Sequence, residues 1–222
     1  MPLTLKNFYK QWWQPWANTI AYYPLDSTNT VNDLSWNWYN LTNSWATFWT
    51  NYCEVNDTKY LYRDTSSDSR FVTWNNSITY SIWIKISSFN WNYNWYPYWQ
   101  GENSTNRVWG LTMQSTSYWI DNWWYQQWVQ TSMYNNYTNW HLITTVYDSS
   151  ITTKYLYLDW QLQVSKNQSI NLSKNWLYVW QDPIYSAWLD AQISNLIVED
   201  KERTAQEIQD YYNQTKSLYW IS

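Results

Sequence analysis

NWHLITTVYDSSITTKYLYLDWQLQ, residues 139–163, alternates along most of its length. Trp140, Leu142, Thr144 and Val146 fall on one side and His141, Ile143, Thr145 and Tyr147 on the other, which is the two-residue period of a β-strand. A second strand follows, with Tyr155, Tyr157 and Asp159 facing away from Leu156 and Leu158. The chain then turns at Asp159-Trp160 into Gln161, Leu162, Gln163 and Val164. A two-residue hairpin loop of type I′ holds both central residues at φ > 0, which glycine tolerates and a bulky side chain does not. The pattern predicts a hairpin with tryptophan where its turn wants glycine.

Composition repeats this anomaly. The 222 residues include 23 Trp and only 2 Gly, where an average chain of this length would carry about 16 glycines. Many tryptophans follow Asn, Asp or Ser, as in Ser35-Trp36-Asn37-Trp38, Asn94-Trp95, Asn122-Trp123-Trp124, Asp159-Trp160 and Asn175-Trp176. Those residues followed by glycine are ordinary turn chemistry, and nothing in turn physics favours an indole there. The expectation is a gene from a bacterium, or its phage, that reads UGA as glycine, translated with UGA read as tryptophan. Trp36, Trp38, Trp124, Trp160 and Trp176 are then expected at exposed turns, several with φ > 0. Trp83, inside the alternating run Ile78 to Ile86, and Trp140 are expected to be genuine, in strands and largely buried.

With glycine at 160, the organising segment resembles the laminin-G-like, concanavalin-A-like jelly-roll domains: a Trp-His strand ending in Tyr-Asp, then a strand ending in Asp-Gly-Gln. Two further stretches are similar to the same family. TIAYYPLDS, residues 19–27, resembles its first strand, and VNDLSWNWYN, residues 31–40, resembles its Asp-x-Ser-Gly-Asn-Gly loop. Near the end, LDAQISNLIVED precedes KERTAQEIQDYYNQT, the one convincing helix. Thr204 can cap it with Glu207 three residues on, and Ile208, Tyr211 and Tyr212 form its inward stripe. Ser194-Asn195 departs from the family, which often carries acidic residues there.

The expected fold is therefore all-β, a jelly-roll β-sandwich of two antiparallel sheets with one short helix from about Thr204 to Asn213. Residues 1–17 read as a flexible lead-in, and 18–222 as one domain. The formal charge is −4 and the pI about 4.9, so no basic face for nucleic acid is indicated. A single cysteine, Cys53, rules out an intrachain disulfide. No signal-peptide core is evident, and no run of about 18 apolar residues suggests membrane insertion.

Chemistry is sparse. The one histidine, His141, sits beside a core-patterned Trp and reads as structural. No carboxylates alternate along a strand as a glycosidase pair would, and no zinc spacing or phosphate loop is present. Tyr96, Tyr98, Asn103, Arg107, Trp109 and Tyr118 gather flat rings beside amide and hydroxyl groups, which is what a sugar face requires; the same residues also fit ordinary core or sheet surface. The resemblance implies calcium as a possible cofactor, tying the first strand region to the last, with Asp26, Asp33 and Asp190 as candidate ligands that equally fit ordinary turns.

The implied function is a non-catalytic extracellular recognition or adhesion module that binds a glycan or a cell-surface protein. The alternatives are a phage tail or fibre component within a larger assembly, and a glycoside-active enzyme. The tryptophan reading is tested by mass spectrometry of the protein from its natural source. Peptides spanning Trp36, Trp38 and Trp160 are expected to be lighter by the Trp-to-Gly difference, and intact tryptophan at 160 would contradict it.

Overall fold

A computed structural model describes residues 18–56, 58–66, 71, 76–88, 94–101, 107–114, 117–121, 129–130, 138–167, 176–180 and 190–219. The first ten strands, in chain order, are β1 (Thr19–Tyr23), β2 (Thr42–Ser44), β3 (Thr47–Phe48), β4 (Cys53–Val55), β5 (Tyr60–Asp64), β6 (Ile78–Ile86), β7 (Asn94–Gly101), β8 (Arg107–Gln114), β9 (Ser117–Asp121) and β10 (Val129–Gln130). They are followed by β11 (His141–Asp148), β12 (Thr153–Leu158), β13 (Gln161–Asn167), β14 (Trp176–Val179) and β15 (Ala191–Glu199). Helix α1 (Ala205–Thr215) and a 3-10 turn (Lys216–Tyr219) close the described chain.

The strands form two antiparallel sheets, the expected sandwich. One sheet has the order β13-β12-β11-β6-β15-β4-β3, with β1 also pairing β15, and the other has the order β10-β9-β8-β7-β14-β5-β2. β15 serves two partners along one edge: Ala191 to Ile193 face β4, and Leu196 to Glu199 face β1. The inner faces meet in a core containing Ile82, Ile84, Ile143, Leu156, Ile193 and Leu196 from the first sheet and Leu61, Leu177 and Val179 from the second.

Polar groups in this core are paired across the layers. The Tyr80 and Tyr98 rings stack with centroids 4.7 Å apart. The Tyr80 hydroxyl donates to Gln100 Oε1 at 2.5 Å, and the Tyr98 hydroxyl bonds Thr145. Burial pushes both phenols far above their ordinary range, so they stay neutral.

The helix covers the outer face of the first sheet. Thr204 caps it: its hydroxyl accepts from the Glu207 amide, while the Glu207 carboxylate accepts from the Thr204 amide, as the capping-box spacing predicts. Tyr211 and Tyr212 pack with Trp83, Leu142 and Ile197, and Ile208 packs with Val146 and Tyr157. Glu199 and Arg203 form a fully buried pair where β15 leads into the helix, and the Arg203 guanidinium lies 4.9 Å from the Tyr211 ring centroid. Burial raises the Glu199 pKa, and Arg203 opposes the rise.

The tryptophans divide by backbone geometry. Trp38, Trp45, Trp160 and Trp180 have φ of 60, 62, 72 and 65°, the left-handed region in which a Cβ is penalised. Trp36 and Trp38 are 78% and 75% exposed in the loop after β1. Trp83 is fully buried in β6. Two positions differ from expectation. Trp176 begins β14 instead of lying in a turn, because its neighbours Leu177 and Val179 are drawn into the core. Trp140 is half-buried just ahead of β11. Trp124 and the lead-in 1–17 lie outside the described residues.

In the chain as written, Trp160→Gly is expected to raise stability by about 1 kcal/mol, since a non-glycine residue in the left-handed region costs about 1–2 kcal/mol and the ring is 37% exposed. Urea denaturation checks this, and destabilisation by the substitution would contradict it.

Candidate functional site

The β12–β13 turn builds the first part of the site. Leu158 pairs with Gln161, leaving Asp159 and Trp160 as a two-residue loop with φ of 48 and 72°. That turn aims the Asp159 side chain back over the sheet at the start of β11. Its Oδ1 accepts from the Leu142 amide at 2.9 Å, and its Oδ2 lies 2.6 Å from His141 Nδ1. Because an ionised carboxylate only accepts, His141 Nδ1 carries the proton. The Asp159 amide also donates to the Leu142 carbonyl at 2.8 Å.

Beside this clasp, on the outer face of the helix-covered sheet, opens a cavity of about 850 Å³. The turn Trp49 to Tyr52 forms one wall, and Thr138 to His141, Asp159, Tyr212, Leu218 and Tyr219 form the other. Lys85 and Gln192 face it from β6 and β15, where register sets them directly opposite one another.

A chain of aromatic rings runs from this space into the layer beneath the helix. Tyr52 and Trp140 have centroids 6.2 Å apart, Trp140 and Tyr219 4.8 Å, and Tyr219 and Trp83 4.3 Å. Tyr219 is held from beneath by the bulge in β15. Asn195 Nδ2 donates to its hydroxyl at 2.5 Å, and that hydroxyl donates to Ser194 Oγ at 2.9 Å. Ser194 Oγ donates in turn to the Asn51 carbonyl at 2.9 Å, fixing the opposite wall. Ser194-Asn195, where the family resemblance expected carboxylates, thus positions an aromatic ring.

Burial raises the phenol pKa values of Tyr52, Tyr212 and Tyr219, with Glu54 adding to the first and Asp159 to the second. All three remain neutral hydrogen-bonding groups at neutral pH. Rings with polar groups around an open concavity suit a ligand with both flat apolar faces and hydroxyls.

Five of the six residues expected from sequence to contact a ligand lie on strands of the other sheet. Tyr98 requires correction: it is fully buried, stacked on Tyr80 and bonded to Thr145, so it belongs to the core. Tyr96, Arg107, Trp109 and Tyr118 lie on β7, β8 and β9, where Arg107 pairs with Gly101, Trp109 with Gln100 and Tyr118 with Met113. Asn103 is outside the described residues. Elsewhere on the outer face of that second sheet, Tyr60, Tyr62, Tyr178 and Trp176 make a half-buried aromatic surface; the Tyr62 and Tyr178 rings stack 6.0 Å apart.

The three aspartates proposed as calcium ligands are not brought together. Asp33 accepts from the Tyr22, Ser35 and Tyr39 amides and the Ser35 hydroxyl at 2.6–2.8 Å. Tyr22 pairs with Ile197, whereas Asp190 precedes the other end of β15; seven residues of strand span about 23 Å. Asp26 closes its own turn by accepting from the Thr28 and Asn29 amides. Among the described residues, no three His, Cys, Asp or Glu side chains are grouped to hold a metal ion.

Comparison with solved structures shows this fold in toxin binding domains. The binding domain of Paraclostridial Mosquitocidal Protein 1 is similar at a TM-score of 0.72 with 13% identity, covering 88% of this chain and 52% of that one. A structure of botulinum neurotoxin type C, whose cell entry is described as dependent on two ganglioside molecules, gives 0.70 at 14%, covering 88% and 51%. The binding domain of botulinum neurotoxin DC, solved in complex with rat synaptotagmin II, gives 0.69 at 16%, covering 88% and 51%. The chain spans about half the length of each. At this identity the likeness is one of fold. No family model and no curated protein matches the sequence.

Asp159→Ala is expected to cost about 2–3 kcal/mol, because it leaves the Leu142 amide and His141 without their charged acceptor. Asp159→Asn, which keeps an acceptor, should cost less. Equal stability of both variants and the parent in chemical denaturation would contradict the clasp.

Proposed function

We propose that this chain is a non-catalytic recognition module of the laminin-G-like, concanavalin-A-like type, acting outside the cell and binding glycans in the cavity between Tyr52 and Trp140. The observation that carries the reading is the cavity lining: a run of aromatic rings held by buried hydrogen bonds, with Lys85, Gln192 and His141 beside it. Sugars present apolar faces to such rings and hydroxyls to such polar groups. The structural neighbours support a binding role by their fold and by their descriptions as binding domains.

The cavity chemistry also favours binding over hydrolysis. Among the described residues its lining holds one carboxylate, Asp159, already engaged by His141 and the Leu142 amide, whereas glycoside hydrolysis generally uses two facing carboxyl groups. Of the glutamates that an enzymatic reading would need, Glu199 is buried with Arg203 and Glu207 bonds Lys201. Among the described residues, no helix is long and apolar enough to cross a membrane.

A glycan array is expected to show binding that Trp140→Ala weakens about tenfold or more, while Trp36→Ala, which removes an exposed indole in the loop after β1, leaves it unchanged. Absence of binding to any glycan, or equal loss in both variants, would overturn the reading.

A further inference from the structure

We propose that the cavity selects glycans bearing a carboxylate, with Lys85 as the group that receives it. This rests on the glycan-binding reading and specifies its ligand class.

The chain as a whole is acidic, at −4, yet the cavity presents a cation. Lys85 projects from the outer face of β6, half-buried. Among the described residues the ion pairs are His141 with Asp159, Lys201 with Glu207, and Arg203 with Glu199, so Lys85 has no carboxylate partner there. The stem of Lys85 packs on the sheet while its ammonium borders an open cavity without a carboxylate partner among the described residues, and an anionic ligand supplies that counter-charge.

The nearby carboxylates are engaged or set back from Lys85. Asp159, the one carboxylate of the lining among the described residues, has its two oxygens engaged by His141 Nδ1 and the Leu142 amide. Glu54 lies on β4, beyond Gln192 in register, and is not part of the lining. Two strand spacings, about 9.6 Å, separate the Lys85 and Glu54 positions. Gln192 stands directly between them and beside Lys85, so its amide N–H can donate to the second oxygen of a carboxylate held at Lys85. The sugar ring then reaches the Tyr52 and Trp140 side chains that flank the same space.

Sialic acids and uronic acids both carry this carboxylate, and matched probes separate them from their uncharged counterparts. Isothermal titration compares 3′-sialyllactose with lactose, and trigalacturonate with its methyl ester. At least one acidic member is expected to bind about tenfold more tightly than its neutral match, with affinity falling as salt rises. Lys85→Gln is expected to erase that difference while sparing neutral binding, and Lys85→Arg to retain it. Equal affinity within both pairs, or equal weakening of neutral and acidic members by Lys85→Gln, would overturn the assignment to Lys85 while glycan binding itself stands. Failure of every glycan on the array would instead overturn the function on which it rests. Circular dichroism confirms that the Lys85 variants keep their strand signal.

Discussion

The carboxylate of Asp159 joins three parts of this molecule. It sits in the β12–β13 turn, bonds the Leu142 amide at the start of β11, and orients the His141 ring at the cavity edge. A charge-assisted bond of this kind is worth more than a neutral one and is direction-specific. It sets where β11 begins and where Trp140, immediately before it, places its ring against Tyr52 and Tyr219. Without the left-handed turn at Asp159 and Trp160, the carboxylate would not point back over the sheet.

That turn also exposes a conflict between backbone and side chain. Trp38, Trp45, Trp160 and Trp180 adopt dihedrals that a residue without Cβ reaches freely. The surrounding hydrogen bonds fix these conformations: Asp33 accepts from the Tyr39 amide just after Trp38, and Asn43 Oδ1 accepts from the Ala46 amide just after Trp45. Exposed indoles at Trp36, Trp38 and Trp45 therefore mark tight turns, and they provide no argument for a sugar-binding platform. The cavity proposed as the site draws instead on Trp140, on Tyr52 just ahead of β4, and on Tyr212 and Tyr219 in the helical segments.

Much of the fold was legible because its signals are local. Alternation from Ile78 to Ile86 and from Trp140 to Tyr147 gave two central strands of the helix-covered sheet, Asp159-Trp160 gave the hairpin turn, and Thr204 with Glu207 gave the helix start. The site was mostly not legible. Its parts come from residues 49–52, 85, 138–141, 159, 192, 212, 218 and 219, and the sheet order that unites them puts β15 between β4 and β6 and β6 beside β11. No sequence spacing encodes that order. His141 was visible, but its partner Asp159 lies 18 residues away across a hairpin. Tyr98 shows the converse: period-two alternation identifies two faces without saying which is buried, and Tyr98 faces inward.

The proposed recognition site lies on the outer face of the helix-covered sheet. Backbone and indole nuclear magnetic resonance titration with 3′-sialyllactose and with trigalacturonate tests this most directly. The account predicts shifts concentrated at the Trp140 indole N–H and at the amides of Tyr52, Lys85, His141 and Gln192. Shifts concentrated on β7, β8 and β9, or on the loop carrying Trp36 and Trp38, with the cavity residues unmoved, would contradict it.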